Sequence, residues 1–77
     1  MITFQQARKY HHVTRRQLAQ ITDMQVDELW ALEETGRGTE ETWQAVIKAL
    51  NQLTKFDYEP TDFSGMIYTN WLPIQVE

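Results

Sequence analysis

Trp43, Val46, Ile47, Leu50 and Leu53 recur at intervals of three and four residues, so a helix over this stretch lines them along one face. It is the cleanest apolar stripe in the chain, and the other elements must pack around it. Thr39 stands where a helix cap belongs, and Glu40 and Glu41 fall in the first turn, where the macrodipole favours acids. Just upstream, Thr35-Gly36-Arg37-Gly38 supplies a break, with two glycines for termination and turning. A chain of 77 residues buries only about 60% of its unfolded surface, so one core helix has to serve the whole domain.

Three shorter helices are expected before it. Thr3 can cap a first helix through Phe4, Ala7, Arg8 and Tyr10, with a modest apolar side and an end at His11–His12, before the β-branched Val13. Thr14-Arg15-Arg16-Gln17 then reads as a capping box, Thr at the cap and Gln three residues on. Leu18, Ala19 and Ile21 give this second helix a short buried face, and it closes near Thr22. Asp23-Met24 makes the turn, since Asp tolerates the left-handed conformation better than most residues. Gln25 starts a third helix. Its apolar positions Val26, Leu29, Trp30 and Leu32 leave Asp27, Glu28, Ala31 and Glu34 on or near the other face.

The expected fold is therefore all-α, a small helical domain of four to five short helices over residues 1–56, followed by an aromatic C-terminal extension, 57–77. In that extension Pro60 and Gly65 break any long helix. Met66–Thr69 and Leu72–Val76 read as strands, or 63–71 as one short helix, and periodicity does not decide between them. Pro73 would restrict the last segment to a sheet edge. Tyr58, Phe63, Tyr68 and Trp71 suit two roles, wrapping the core and mediating a homodimer, and wrapping is the first expectation.

Several kinds of chemistry lack the residues they need. There is no cysteine, hence no disulfide and no thiolate. The His11-His12 rings diverge and no third ligand stands near, so no metal site is expected. Ser64 is the only serine, which leaves nucleophilic catalysis almost without candidates, and there is no Gly-rich phosphate loop. A binding protein is expected, not an enzyme, with no cofactor and no small-molecule substrate. No apolar run approaches the roughly 20 residues of a membrane span. The N-terminal MITFQQARKY lacks a signal peptide's apolar stretch, so a cytoplasmic protein is the plain expectation.

Net charge is −4, but its distribution is polarised. Residues 1–16 hold Arg8, Lys9, Arg15 and Arg16 without an acid, whereas residues 23–34 hold Asp23, Asp27, Glu28, Glu33 and Glu34 without a base.

Taken together, Arg8, Thr14, Leu18-Ala19, Met24, Leu29, Leu32-Glu33, Trp43, Ile47 and Ala49-Leu50 resemble the Cro/repressor-type (XRE-like, lambda-repressor-like) helix-turn-helix family, without a gap from residue 4 to about residue 53. The resemblance implies a helix-turn-helix over roughly Thr14 to Glu34. It implies that Arg8 of the first helix pairs with Glu33 at the end of the third, a bidentate contact that fixes their packing. It also implies that the small Ala19 sits where the two helices cross closely. The groove-facing positions become Gln25, Val26, Asp27, Glu28, Trp30 and Ala31, and the phosphate contacts Lys9, Arg15, Arg16 and Arg37. The function so implied is that of a transcriptional regulator bound to double-stranded DNA, of a kind that phages and mobile elements encode.

Those outward positions depart from the family's pattern. Only Gln25 is an ordinary base reader; Asp27 and Glu28 can accept from cytosine N4, but in a groove walled by phosphates. Trp30, if it points outward, marks a protein contact more often than base reading; if not, it folds back on Val13 or the C-terminal aromatics. Arg15 and Arg16 at a helix start read either as a solvated face or as phosphate clamps; they oppose the macrodipole, a cost that favours the functional reason. The same scaffold thus admits a second role: a modulator or anti-repressor whose acidic surface binds a basic protein, such as a repressor's DNA-binding domain.

Overall fold

A computed structural model describes residues 1–71. Four helices carry the domain: α1 (Phe4–Tyr10), α2 (Arg15–Thr22), α3 (Val26–Thr35) and α4 (Glu40–Thr54). Each start follows from a local side chain. Thr3 and Thr14 accept from the amides of Gln6 and Gln17, whose own side chains reach back to the cap amides, and Thr39 accepts from Thr42. Each end has a left-handed residue close by: His12 (φ 59°) after α1, Asp23 (63°) after α2, Gly36 (74°) after α3 and Lys55 (63°) after α4. Gln25 is the cap of α3, not its first helical residue.

The core gathers Phe4, Ala7, Val13, Leu18, Leu29, Leu32, Trp43, Val46, Ile47, Ala49, Leu50 and Phe63, with Ala19 and Met24 partly buried against it. The stripe on α4 is thus the centre of the domain, and truncating Leu18, Leu29 or Leu50 to Ala costs about 2–5 kcal/mol. Besides Trp30, three apolar positions of the repeats turn out to face water: Ile21, Val26 and Leu53 are about two-fifths exposed. These three lie in the first or last turn of their helices, where the packed face of a short helix runs out.

The fold is mostly helical but not all-α. Four two-residue strands, β1 (Ile2–Thr3), β2 (Arg37–Gly38), β3 (Phe63–Ser64) and β4 (Ile67–Tyr68), form two parallel pairs, β1 with β3 and β2 with β4. The reason lies in the residues after α4. A single turn of 3-10 helix at Pro60–Asp62 and the left-handed Gly65 (φ 81°) prevent a helix over 63–71, and the extended backbone finds partners on the domain. Ile67 donates its amide to the Gly36 carbonyl at 2.7 Å, and Trp43 Nε1 donates to the same oxygen at 3.3 Å. A second 3-10 turn, Thr69–Trp71, follows β4. The expected strand over Leu72–Val76 lies outside the described residues.

A chain of rings links this tail to the core. Trp43 meets Phe4, Phe4 meets Phe63, Phe63 meets Tyr58, Tyr58 stacks on Phe56, and Phe56 meets His11, which meets Tyr10. Asn51 of α4 fastens the tail by its backbone: its Oδ1 accepts from the Tyr58 amide at 2.9 Å and its Nδ2 donates to the Tyr58 carbonyl at 3.0 Å.

Candidate nucleic-acid interface

The geometry of α2 and α3 is set by one carboxylate. Glu33 projects inward from α3 with no exposed side-chain surface and accepts from Arg8 Nε at 2.6 Å and Arg8 Nη2 at 3.0 Å. Arg8 also donates Nη1 to the Val13 carbonyl at 2.9 Å, so its guanidinium ties α1 to α3 and to the connection before α2. A third partner had no signal in residue spacing. Arg15 donates Nε to Glu33 Oε1 at 2.9 Å, its side chain one-quarter exposed. One buried carboxylate therefore joins the first three helices through two guanidinium groups.

This triad alters the standing of Arg15 as a phosphate contact. Its Nε is committed to Glu33, and the price of a cation at a helix start is offset by that internal partner. Of the other cations assigned to phosphate, Lys9, Arg16 and Arg37 are exposed. Arg37 lies in β2, its amide held by Thr35 Oγ1 at 3.1 Å.

The six outward positions of the third helix, Gln25, Val26, Asp27, Glu28, Trp30 and Ala31, are all exposed, while Leu29 and Leu32 on its other side are buried. Trp30 does not fold back onto the core; it is 53% exposed. Glu28 is less free than its neighbours, because its Oε1 accepts from the Gln25 amide at 2.8 Å and so stabilises the start of the helix. Asp27, Trp30, Ala31 and Glu34 form the outermost strip. Asp27 and Glu28 also complement the macrodipole in the first turn of α3, a structural reason for acids there that competes with base reading.

A cleft of about 200 Å³ lies beside Glu33, lined also by Phe4, Gly36, Trp43 and Gly65. It is smaller than sites that enclose drug-sized ligands. Among the described residues no three His, Asp or Glu side chains gather as metal ligands, and no helix is long and apolar enough to cross a membrane. His11 shares a 2.8 Å hydrogen bond between its Nε2 and the Tyr58 hydroxyl. Burial of that hydroxyl, with smaller contributions from Tyr10 and Asp62, raises the Tyr58 pKa above its ordinary value of 10.0.

Compared with protein-family models, curated proteins and solved structures, the chain matches none.

Proposed function

We propose that the chain is a non-enzymatic regulator of the Cro/repressor type, in which α2 and α3 act as a helix-turn-helix and α3 lies in the major groove of double-stranded DNA. The observation that carries this reading is the sidedness of α3: all six positions assigned to the groove are exposed, while Leu29 and Leu32 of the same helix are buried in the core and Glu33 is held by Arg8. The left-handed Asp23 between α2 and α3 suits the tight turn of such a unit. Arg16, Lys9 and Arg37 are the cations free to hold phosphates.

Binding to mixed-sequence DNA, titrated with salt, tests it. The expected affinity falls steeply as salt rises, with a slope near −0.9 for each phosphate contacted. No detectable binding at low salt overturns the reading.

One observation favours a second role. The outer strip of α3 combines a half-exposed Trp30 with Asp27 and Glu34, while Arg15 spends its Nε on Glu33. An aromatic anchor ringed by acids suits a basic protein partner better than a polyanion. On that role the chain modulates another DNA-binding protein, and DNA itself leaves α3 untouched.

A further inference from the structure

Arg37 is the one base between Arg16 and Lys48, in a stretch otherwise rich in acids. Its side chain is exposed and, among the described residues, forms no ion pair. Its backbone, by contrast, is tightly held. The Arg37 amide donates to Thr35 Oγ1, and next to it Gly38 lies so close to Leu32 that a β-carbon there would overlap Leu32 Cδ1. The C-terminal extension supplies the rest. β4 pairs with β2 in the register Arg37 with Ile67 and Gly38 with Tyr68, and the Ile67 amide donates to the Gly36 carbonyl at 2.7 Å. Three residues on, Asn70 Oδ1 accepts from the Glu40 amide at 3.1 Å. Residues 67–70 therefore run alongside the connection between α3 and α4, fastening it just before Arg37 and again at the start of α4.

We propose that β4 is a positioning element of the DNA interface: through the Ile67 amide it fixes the backbone that presents the Arg37 guanidinium to a phosphate, without touching DNA itself. This rests on the DNA reading of α3 and adds to it a role for the extension. A connection containing Gly36 and Gly38 is permissive by itself, and a loose one would have to be ordered at the moment of binding. Pairing with β4 orders it beforehand. Phosphate contacts set the register and orientation of a protein on the duplex, so a cation on a fixed backbone just past α3 also fixes how that helix sits in the groove. Two acids in the first turn of α3 oppose the approach to a polyanion, which makes the placement of each cation matter more. The Ile67 side chain is exposed, so its amide can be removed without opening the core.

Salt titrations of binding to mixed-sequence DNA test it in Arg37→Gln, Ile67→Pro, the two combined, and the conservative Ile67→Val. Arg37→Gln should make the slope shallower by about 0.9, the loss of one phosphate. Ile67→Pro, which lacks the amide, should do the same, the combination should do no more, and Ile67→Val, which keeps the amide, should retain the slope. A merely structural role would leave the slope of folded Ile67→Pro intact and let the two losses add. If circular dichroism shows that Ile67→Pro does not fold, hydrogen exchange in the unaltered chain decides. By reciprocity of coupling, bound DNA should slow the Ile67 amide about fivefold or more, beyond any slowing of the Tyr58 amide, which Asn51 holds in the same extension. No binding by the unaltered chain at low salt overturns the DNA reading and this proposal together. Binding whose slope is unchanged in Arg37→Gln or in Ile67→Pro, or that slows both amides equally, overturns the proposal alone.

Discussion

Arg15, the first residue of α2, donates its Nε to the carboxylate of Glu33 near the end of α3, at 2.9 Å. Glu33 is fully enclosed and already held by Arg8, so the contact turns a pair into a triad with one acid between two bases. The two bases are not equivalent. Arg8 is buried, whereas Arg15 is one-quarter exposed and can turn outward.

That asymmetry orders the single variants. Glu33→Leu strands Arg8 in the interior and should cost about 3–5 kcal/mol. Arg8→Met should cost less, because Arg15 remains as counter-ion to Glu33, although the Val13 carbonyl loses its donor. Arg8→Met with Glu33→Leu should recover much of the Glu33→Leu loss, since no buried charge is left unpaired. Urea denaturation reads all three, and losses that simply add would show that the two residues do not act as a pair.

Gly36 and Gly65 both have positive φ, yet they should respond differently to alanine. A methyl group at Gly36 runs into the Gly65 carbonyl oxygen, whereas one at Gly65 meets nothing within 4 Å. Gly65→Ala carries only the left-handed cost, about 1–2 kcal/mol. Gly36→Ala adds a backbone clash and should lose about 3 kcal/mol or more. Thermal melts of the two variants side by side check the order.

Alkaline stability should report Tyr58. The folded state holds its phenol neutral above the ordinary pKa of 10.0, so in the unfolded chain this group loses its proton first. The unfolded state then binds fewer protons, and stability falls as pH rises through about 10 and on towards the raised folded value; below that window Tyr58 contributes no pH dependence. Phenolate absorbance against pH should show one late-ionising tyrosine that disappears in Tyr58→Phe. A titration unchanged by that substitution contradicts the expectation.

Charge reversal on α3 separates its two candidate partners. Asp27 and Glu34 suit the experiment because their carboxylates face water, whereas Glu28 also holds the Gln25 amide and its loss would weaken the helix start. If α3 meets DNA, Asp27→Lys with Glu34→Lys should raise non-specific affinity and steepen the salt slope by about 0.9 per new phosphate contact. If α3 meets a basic protein, that partner should be lost. An unchanged affinity for both partners would place the binding surface elsewhere.

The helix starts were legible in the sequence because capping is local: Thr3, Thr14 and Thr39 each act within three residues. The core stripe on α4 was legible for the same reason, from Trp43 to Leu50. What sequence periodicity misassigned lies at helix ends, apart from Trp30 in the middle of α3. Ile21, Val26 and Leu53 fit the apolar repeat but have no neighbouring element to cover them. The tail was illegible because its pairing is not periodic at all. Two-residue strands leave no alternation to detect, and Asn51, which clasps Tyr58, carries no mark of that role. At the candidate site the outward positions of α3 could be listed from resemblance, but Arg15 reaches Glu33 only once both helices are in place.

The parallel pairing of β1 with β3 sets Ile2 beside Phe63, and parallel strands need a crossover connection. Here the crossover contains all four helices. Few contacts in the domain close so large a loop, and its entropic cost is met before the two short ladders return anything. The ladders should therefore form late, after the helices have assembled on α4, and their loss should speed unfolding more than it slows folding. In kinetic terms β3 and β4 are a latch: they add little to how the domain assembles and much to how long it stays shut.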